Sequence, residues 1–132
     1  MNTPPYGQQD TSYQHAGGEE GLQQLCRRFY EVMNEDKQAE GIRAMHHDDL
    51  EPMVDRLCAF LCGWLGGPRL YNERYGSIAI PRYHQKFSIG PEERDAWLYC
   101  MQIAVDEQDW RADFKTYIMK ELAVPAERCR TH

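Results

Sequence analysis

The chain is 132 residues long, about one domain's worth. Its 15 lysines and arginines face 21 aspartates and glutamates, a formal net charge of −6. That balance argues against nucleic acid or an anionic membrane as the main partner, since both select a basic face. With 42% hydrophobic and 11% aromatic residues the chain can fill one core, and no run approaches the ~18–20 unbroken apolar residues of a membrane helix.

The opening MNTPPYGQQDTSYQH has neither the basic start nor the apolar run of a secretory signal, so a cytoplasmic protein is expected. Residues 1–15 are polar and without periodicity, and are expected to form a flexible arm. After Gly17-Gly18, the apolar positions Leu22, Leu25, Cys26, Phe29, Tyr30 and Met33 recur at three and four residues. They predict an amphipathic helix from about Glu19 to Asn34. The charged stretch Glu35–Gly41 interrupts it with at most a helical turn. A second helix is expected from Asp48 or Asp49, both good N-cap residues, with Pro52 in its first turn. It carries Met53, Leu57, Phe60, Leu61 and Trp64 on one side and stops at Gly66-Gly67-Pro68.

Residues 69–90 break the pattern. Ser77–Ile80 suits a strand, but no other segment offers it a partner. A long ordered loop with a short helical piece around Arg82–Lys86 is expected instead, and loops of that length in small domains are often functional. Pro91, Glu92 and Glu93 then open a helix bearing Trp97, Leu98, Met101, Ala104 and Val105. A last helix is expected from Asp109 to about Leu122. The reading is all-α: a folded domain over residues 16–124, with a polar tail over 125–132.

The five cysteines, Cys26, Cys58, Cys62, Cys100 and Cys129, are odd in number and form no C-x-x-C pair. Mostly reduced packing residues are expected, and neither a disulfide framework nor a zinc site. His84, between Tyr83 and Gln85 with Phe87 close by, poses a different question. Imidazole is a common metal ligand and the usual proximal ligand of haem iron. On spacing alone, however, a lone loop histidine reads as an exposed or hydrogen-bonded residue. Tyr30 and Trp97, on apolar faces, read as core aromatics.

The order of blocks says more. The Tyr13-Gln-His-Ala-Gly17-Gly18 segment is followed by Arg28-Phe29-Tyr30, then by Phe60-Leu61 running into Gly66-Gly67-Pro68. Tyr71 and Gly76 come next, then Tyr-His-Gln-Lys-Phe around His84 and Glu93-Arg94-Asp95-Ala96-Trp97-Leu98-Tyr99-Cys100-Met101. From about Tyr13 to Leu122 the chain resembles the truncated haemoglobins, specifically group II. The resemblance implies a two-over-two helical sandwich around one haem b.

It also implies roles. His84 is the proximal iron ligand, leaving the sixth position for dioxygen, nitric oxide, carbon monoxide or another small ligand. Tyr30 and Trp97 become distal hydrogen-bond donors, suited to the negative charge that dioxygen draws on itself at ferrous haem. Met53 matches the position where other globins carry a distal histidine, with Leu57 one turn on, and neither can donate. His46 matches a third distal position, with His47 its rival. Phe60 and Phe87 would contact the haem, and Arg56, Tyr71, Arg82 and Lys86 are candidates for its propionates. Many relatives carry arginine just before the proximal histidine, where this chain has Tyr83.

Three readings of function follow. The first is a five-coordinate haem protein for oxygen handling, or for detoxifying nitric oxide or peroxide with an external reductase, as a monomer or weak homodimer. The second is a six-coordinate sensor or electron carrier in which His46 or His47 binds the iron. The third is a cofactor-free helical binding module.

Overall fold

The apolar positions of the first long segment do what their spacing predicts. In the computed structural model, which describes residues 5–45, 49–76 and 89–131, they lie on helix α2, Gly18–Glu35. Leu22, Leu25, Cys26, Phe29 and Met33 are buried to within 1%. The glycine pair before it has a backbone reason. Gly17 and Gly18 take φ of +86° and +69°, successive left-handed positions that side chains disfavour.

A 3₁₀ turn, Lys37–Ala39, and a short α3, Glu40–Arg43, follow. Helix α4 spans Glu51–Trp64, with Pro52 in its first turn. Asp49 Oδ1 accepts from the Glu51 N–H at 3.1 Å, but the N-cap residue is Leu50, one position later than expected. Beyond α4, the Gly67 N–H donates to the Cys62 carbonyl and the Gly66 N–H to that of Gly63, at 2.8 and 3.1 Å. With Gly66 at φ +93°, this is a Schellman ending, and Pro68 bars further helix. Helix α5, Leu70–Tyr75, then forms inside the stretch read as loop. The expected pieces at Ser77–Ile80 and Arg82–Lys86 lie outside the described residues.

Helix α6 is Pro91–Asp106, and Glu93 Oε1 accepts from the Gly90 N–H at its start, 2.8 Å. Helix α7 is Ala112–Arg128. It begins later than expected and runs on through Pro125, with Ala126 buried beneath it. The proline costs the Glu121 carbonyl its helical donor without ending the helix. Residues after α7 are tied back: Thr131 N–H donates to the Ile89 carbonyl at 2.7 Å, and Ile89 N–H to Thr131 Oγ1 at 2.8 Å.

The arm expected over residues 1–15 is packed from its middle onward. Tyr6 stacks on Tyr117 at 5.1 Å and donates to Asp113. Thr11 and Ser12 are buried in α1, Thr11–His15, and the Tyr13 N–H donates to the Leu65 carbonyl at 3.2 Å. The reason is surface that composition hides: Tyr6 and Tyr13 carry aromatic rings, and the Gly66-Gly67 turn has no side chains to hold them off. A Cβ on Gly66 would sit 1.9 Å from the Gln9 carbonyl oxygen, and one on Gly67 2.6 Å from the Tyr13 ring. Gly66→Ala combines that clash with a left-handed φ. It should cost about 2–5 kcal/mol and lower the thermal midpoint by on the order of 10 °C, measurable by circular dichroism.

Helix α2 packs on both α4 and α6, and α6 packs on α7. The pairs α2–α4 and α6–α7 form the two-over-two helical sandwich, around a core of Phe29, Phe114, Leu61, Met101, Ile118 and Leu122. The five cysteines are free thiols, four of them buried and Cys129 half-buried. No helix among the described residues is long and apolar enough to cross a membrane.

Candidate functional site

Helix α4 has two apolar stripes. Val54, Cys58, Leu61 and Cys62 are buried, toward α2. Met53, Leu57, Phe60 and Trp64 recur at four, three and four residues and stay half-buried, packed on the core without being covered. The Phe60 and Trp64 rings stack at 6.2 Å. This half-buried apolar stripe is a surface on which a flat apolar ligand can pack.

The two expected distal donors come from different helices and meet through a third ring. Tyr30, on α2, is 6% exposed, and its ring lies 4.8 Å from that of Phe29, edge to face. Phe29 in turn lies 5.0 Å from Trp97, half-buried on α6. Each contact is within the range of favourable aromatic pairs. Phe29, read from sequence as a core position, is thus the shared support of both donors. Its place directly before Tyr30 carried no signal of contact with a residue 68 positions away.

Tyr30 also lines a pocket of about 180 Å³ between α2 and the start of α4, with Arg27, Glu31, Asn34, Arg43, Leu50, Glu51 and Val54. Arg27 and Glu51 pair across it at 2.7 Å. Both side chains are more than half exposed, so water screens the pair and it parts readily.

Arg56 and Tyr71 gather at the α4–α5 edge. The Arg56 guanidinium sits 4.2 Å from the Tyr75 ring centroid, a cation–π contact, and the Tyr71 ring lies 5.1 Å from Tyr75. The Tyr75 hydroxyl donates to Asp55, which raises its pKa, with burial adding to the rise. Asp55 also pairs with Arg74 at 2.9 Å. Sequence reading missed Tyr75, Asp55 and Arg74; the four-residue step from Tyr71 to Tyr75 was the available signal. His46, His47, Arg82, Tyr83, His84, Lys86 and Phe87 lie outside the described residues.

The donor chemistry fits haem. A flat apolar ring needs an open apolar wall, which Met53, Leu57 and Phe60 would supply. Its carboxylate arms need donors at the margin, as Arg56 and Tyr71 would be. Tyr30 and Trp97 each bring one O–H or N–H donor to helices that pack on the same Phe29 ring.

The sequence model of the family described as bacterial-like globin matches residues 11–129. The group 2 truncated hemoglobin of Bacillus subtilis is 32% identical over 120 residues, covering 91% of this chain and 89% of that protein. Among solved structures, the chain is similar to the cold-adapted truncated hemoglobin of Pseudoalteromonas haloplanktis, with TM-score 0.88 and 29% identity over 92% of this chain and 98% of that one. It is also similar to the group II 2-on-2 hemoglobin of Agrobacterium tumefaciens, with TM-score 0.87 and 32% identity over 98% and 97% of the two chains. The chain belongs to the bacterial-like globins and is a group II truncated, two-on-two hemoglobin, from a family that binds haem and small gaseous ligands.

Proposed function

We propose that the chain holds one haem b through His84 and binds dioxygen tightly, with nitric oxide and carbon monoxide as further ligands. The haem supplies a ferrous iron with one open position. The observation that supports the reading best is the Tyr30–Phe29–Trp97 arrangement, which carries a phenol and an indole on one buried support. Tyr30 donates its O–H and Trp97 its N–H toward the small ligand, and Phe29 limits how far either ring can swing. Met53 and Leu57 exclude water without donating, and His46 supplies a third donor and a proton source. Arg56, Tyr71, Arg82 and Lys86 neutralise or bond the propionates, while Phe60 and Phe87 pack on the ring.

A ligand held by several donors leaves slowly, which suits chemistry at the site better than bulk transport. Scavenging of nitric oxide or peroxide, with electrons from a separate reductase, is the role that slow release favours.

The test is the visible spectrum of purified protein reconstituted with haemin, beside a His84→Ala variant. The parent should take up haem stoichiometrically with an intense Soret band, and the variant's band should weaken or shift. No stoichiometric uptake would overturn the reading in favour of a cofactor-free helical module. In the ligand-free ferrous protein, five-coordinate high-spin iron supports gas binding. A six-coordinate low-spin spectrum would instead assign His46 or His47 to the iron.

A further inference from the structure

Nothing in the gas-binding reading gives Tyr75 or Asp55 a task, yet the far end of α5 hangs on them. Of the six residues of α5 none is buried, and only Leu70, at its start, packs on the core. Tyr75 ends the helix, five residues on. The ties there are polar and converge on Asp55 of α4. The Tyr75 hydroxyl donates to Asp55 Oδ2, and the Arg74 guanidinium donates to Asp55 Oδ1 at 2.9 Å. Arg74 also lies 3.7 Å from Glu19, which links the same end of α5 to α2.

The Tyr75 ring then meets both described residues expected at the haem propionates. The Arg56 guanidinium lies over it at 4.2 Å, and the Tyr71 ring is 5.1 Å away. Asp55 and Arg56 are adjacent on α4, so their side chains leave the helix about 100° apart. A side chain that touches both is held across the angle between them. A guanidinium over a ring face is kept in place by the ring and retains its N–H donors for a carboxylate. The Tyr75 phenol is a lasting donor, because its bond to Asp55, with burial adding, raises its pKa above the usual phenol value.

Deepening the haem reading above, on which it rests, we propose that Asp55 and Tyr75 are positioning residues for the haem's carboxylate arms. Asp55 fixes the Tyr75 ring through its hydroxyl, and the ring aims Arg56 and supports Tyr71. Both residues act through those two side chains.

The test measures how fast the haem-loaded protein gives up its haemin to excess apomyoglobin, followed at the Soret band. Each protein is loaded with haemin and, separately, with haemin dimethyl ester, whose arms carry no charge. Tyr75→Phe keeps the ring and removes the hydroxyl, and it should release haemin about three- to tenfold faster. Asp55→Ala removes the same bond from the other side and should match it, so either variant alone suffices if the other folds poorly. Asp55→Asn keeps an acceptor oxygen and should stay within about twofold of the parent.

With the dimethyl ester, Tyr75→Phe and its parent should differ by less than about twofold, because Arg56 then has no carboxylate to meet. Equal acceleration with both haemins would make the pair a structural tie of α5 and overturn the positioning role. Unchanged haemin release in Tyr75→Phe and Asp55→Ala, from a parent that loads stoichiometrically, would remove this role alone. No haemin uptake by the parent would remove the haem reading and this role with it.

Discussion

Dioxygen should leave the haem-loaded Trp97→Phe protein roughly tenfold to a hundredfold faster than the parent, as stopped-flow displacement would measure. Phenylalanine keeps an aromatic ring beside Phe29 and removes the N–H donor together with part of the indole's packing area. A hydrogen bond to a ligand bearing charge, sheltered from water, contributes about 1.5–3 kcal/mol. Lost from the bound state and not from the free one, that energy appears in the dissociation rate. Tyr30→Phe removes the phenol donor with the same logic and a similar expected size. The double variant should release the ligand ~10²-fold or more faster if the donors act independently. A smaller combined effect would mean that one donor takes over when the other is gone, since groups sharing a partner are not additive. Unchanged release in both single variants would end the distal-donor account while leaving the fold and the haem untouched.

Phe29→Ala should be costly on two scales at once. The side chain is fully buried, and truncation of such a residue costs about 3–5 kcal/mol, seen as a lower urea midpoint at nearly constant slope. Tyr30 and Trp97 would also lose the ring between them, so ligand release should quicken although neither donor has been changed. Phe29→Leu separates the two effects. It keeps most of the volume, should cost about 1 kcal/mol, and leaves a flexible support where a flat one stood. If release in that variant matches the parent, Phe29 fills space and nothing more.

Much of the fold could be read from periodicity. Helices α2, α4 and α6 lie within one to three residues of their expected bounds, because each carries an apolar stripe at helical spacing and a local start or stop signal: the glycine pair, Asp49, the Gly66 turn, Pro91. Where those signals were weak the reading departed from the structure. Helix α5 is six residues with no buried member, too short for a stripe to declare itself. Helix α7 runs past Pro125 because Ala126 packs beneath it, a gain that no breaker rule contains. Residues 6–15 are polar in sequence and ordered in space, because surfaces 52 to 111 residues away receive Tyr13 and Tyr6.

The candidate site divides along the same line. The order of its blocks named Tyr30, Trp97, Met53, Leu57, Phe60, Arg56 and Tyr71, because family motifs preserve residue types at fixed spacing. Sequence by itself therefore determined the all-helical class, three helix registers and the globin family. Only the tertiary structure decided that Phe29 packs against both Tyr30 and Trp97 and that Arg56 lies over Tyr75. The Arg56–Tyr75 and Phe29–Trp97 contacts join residues 19 and 68 positions apart. Periodicity describes only which face of one element is apolar, whereas packing between elements decides which side chains share it.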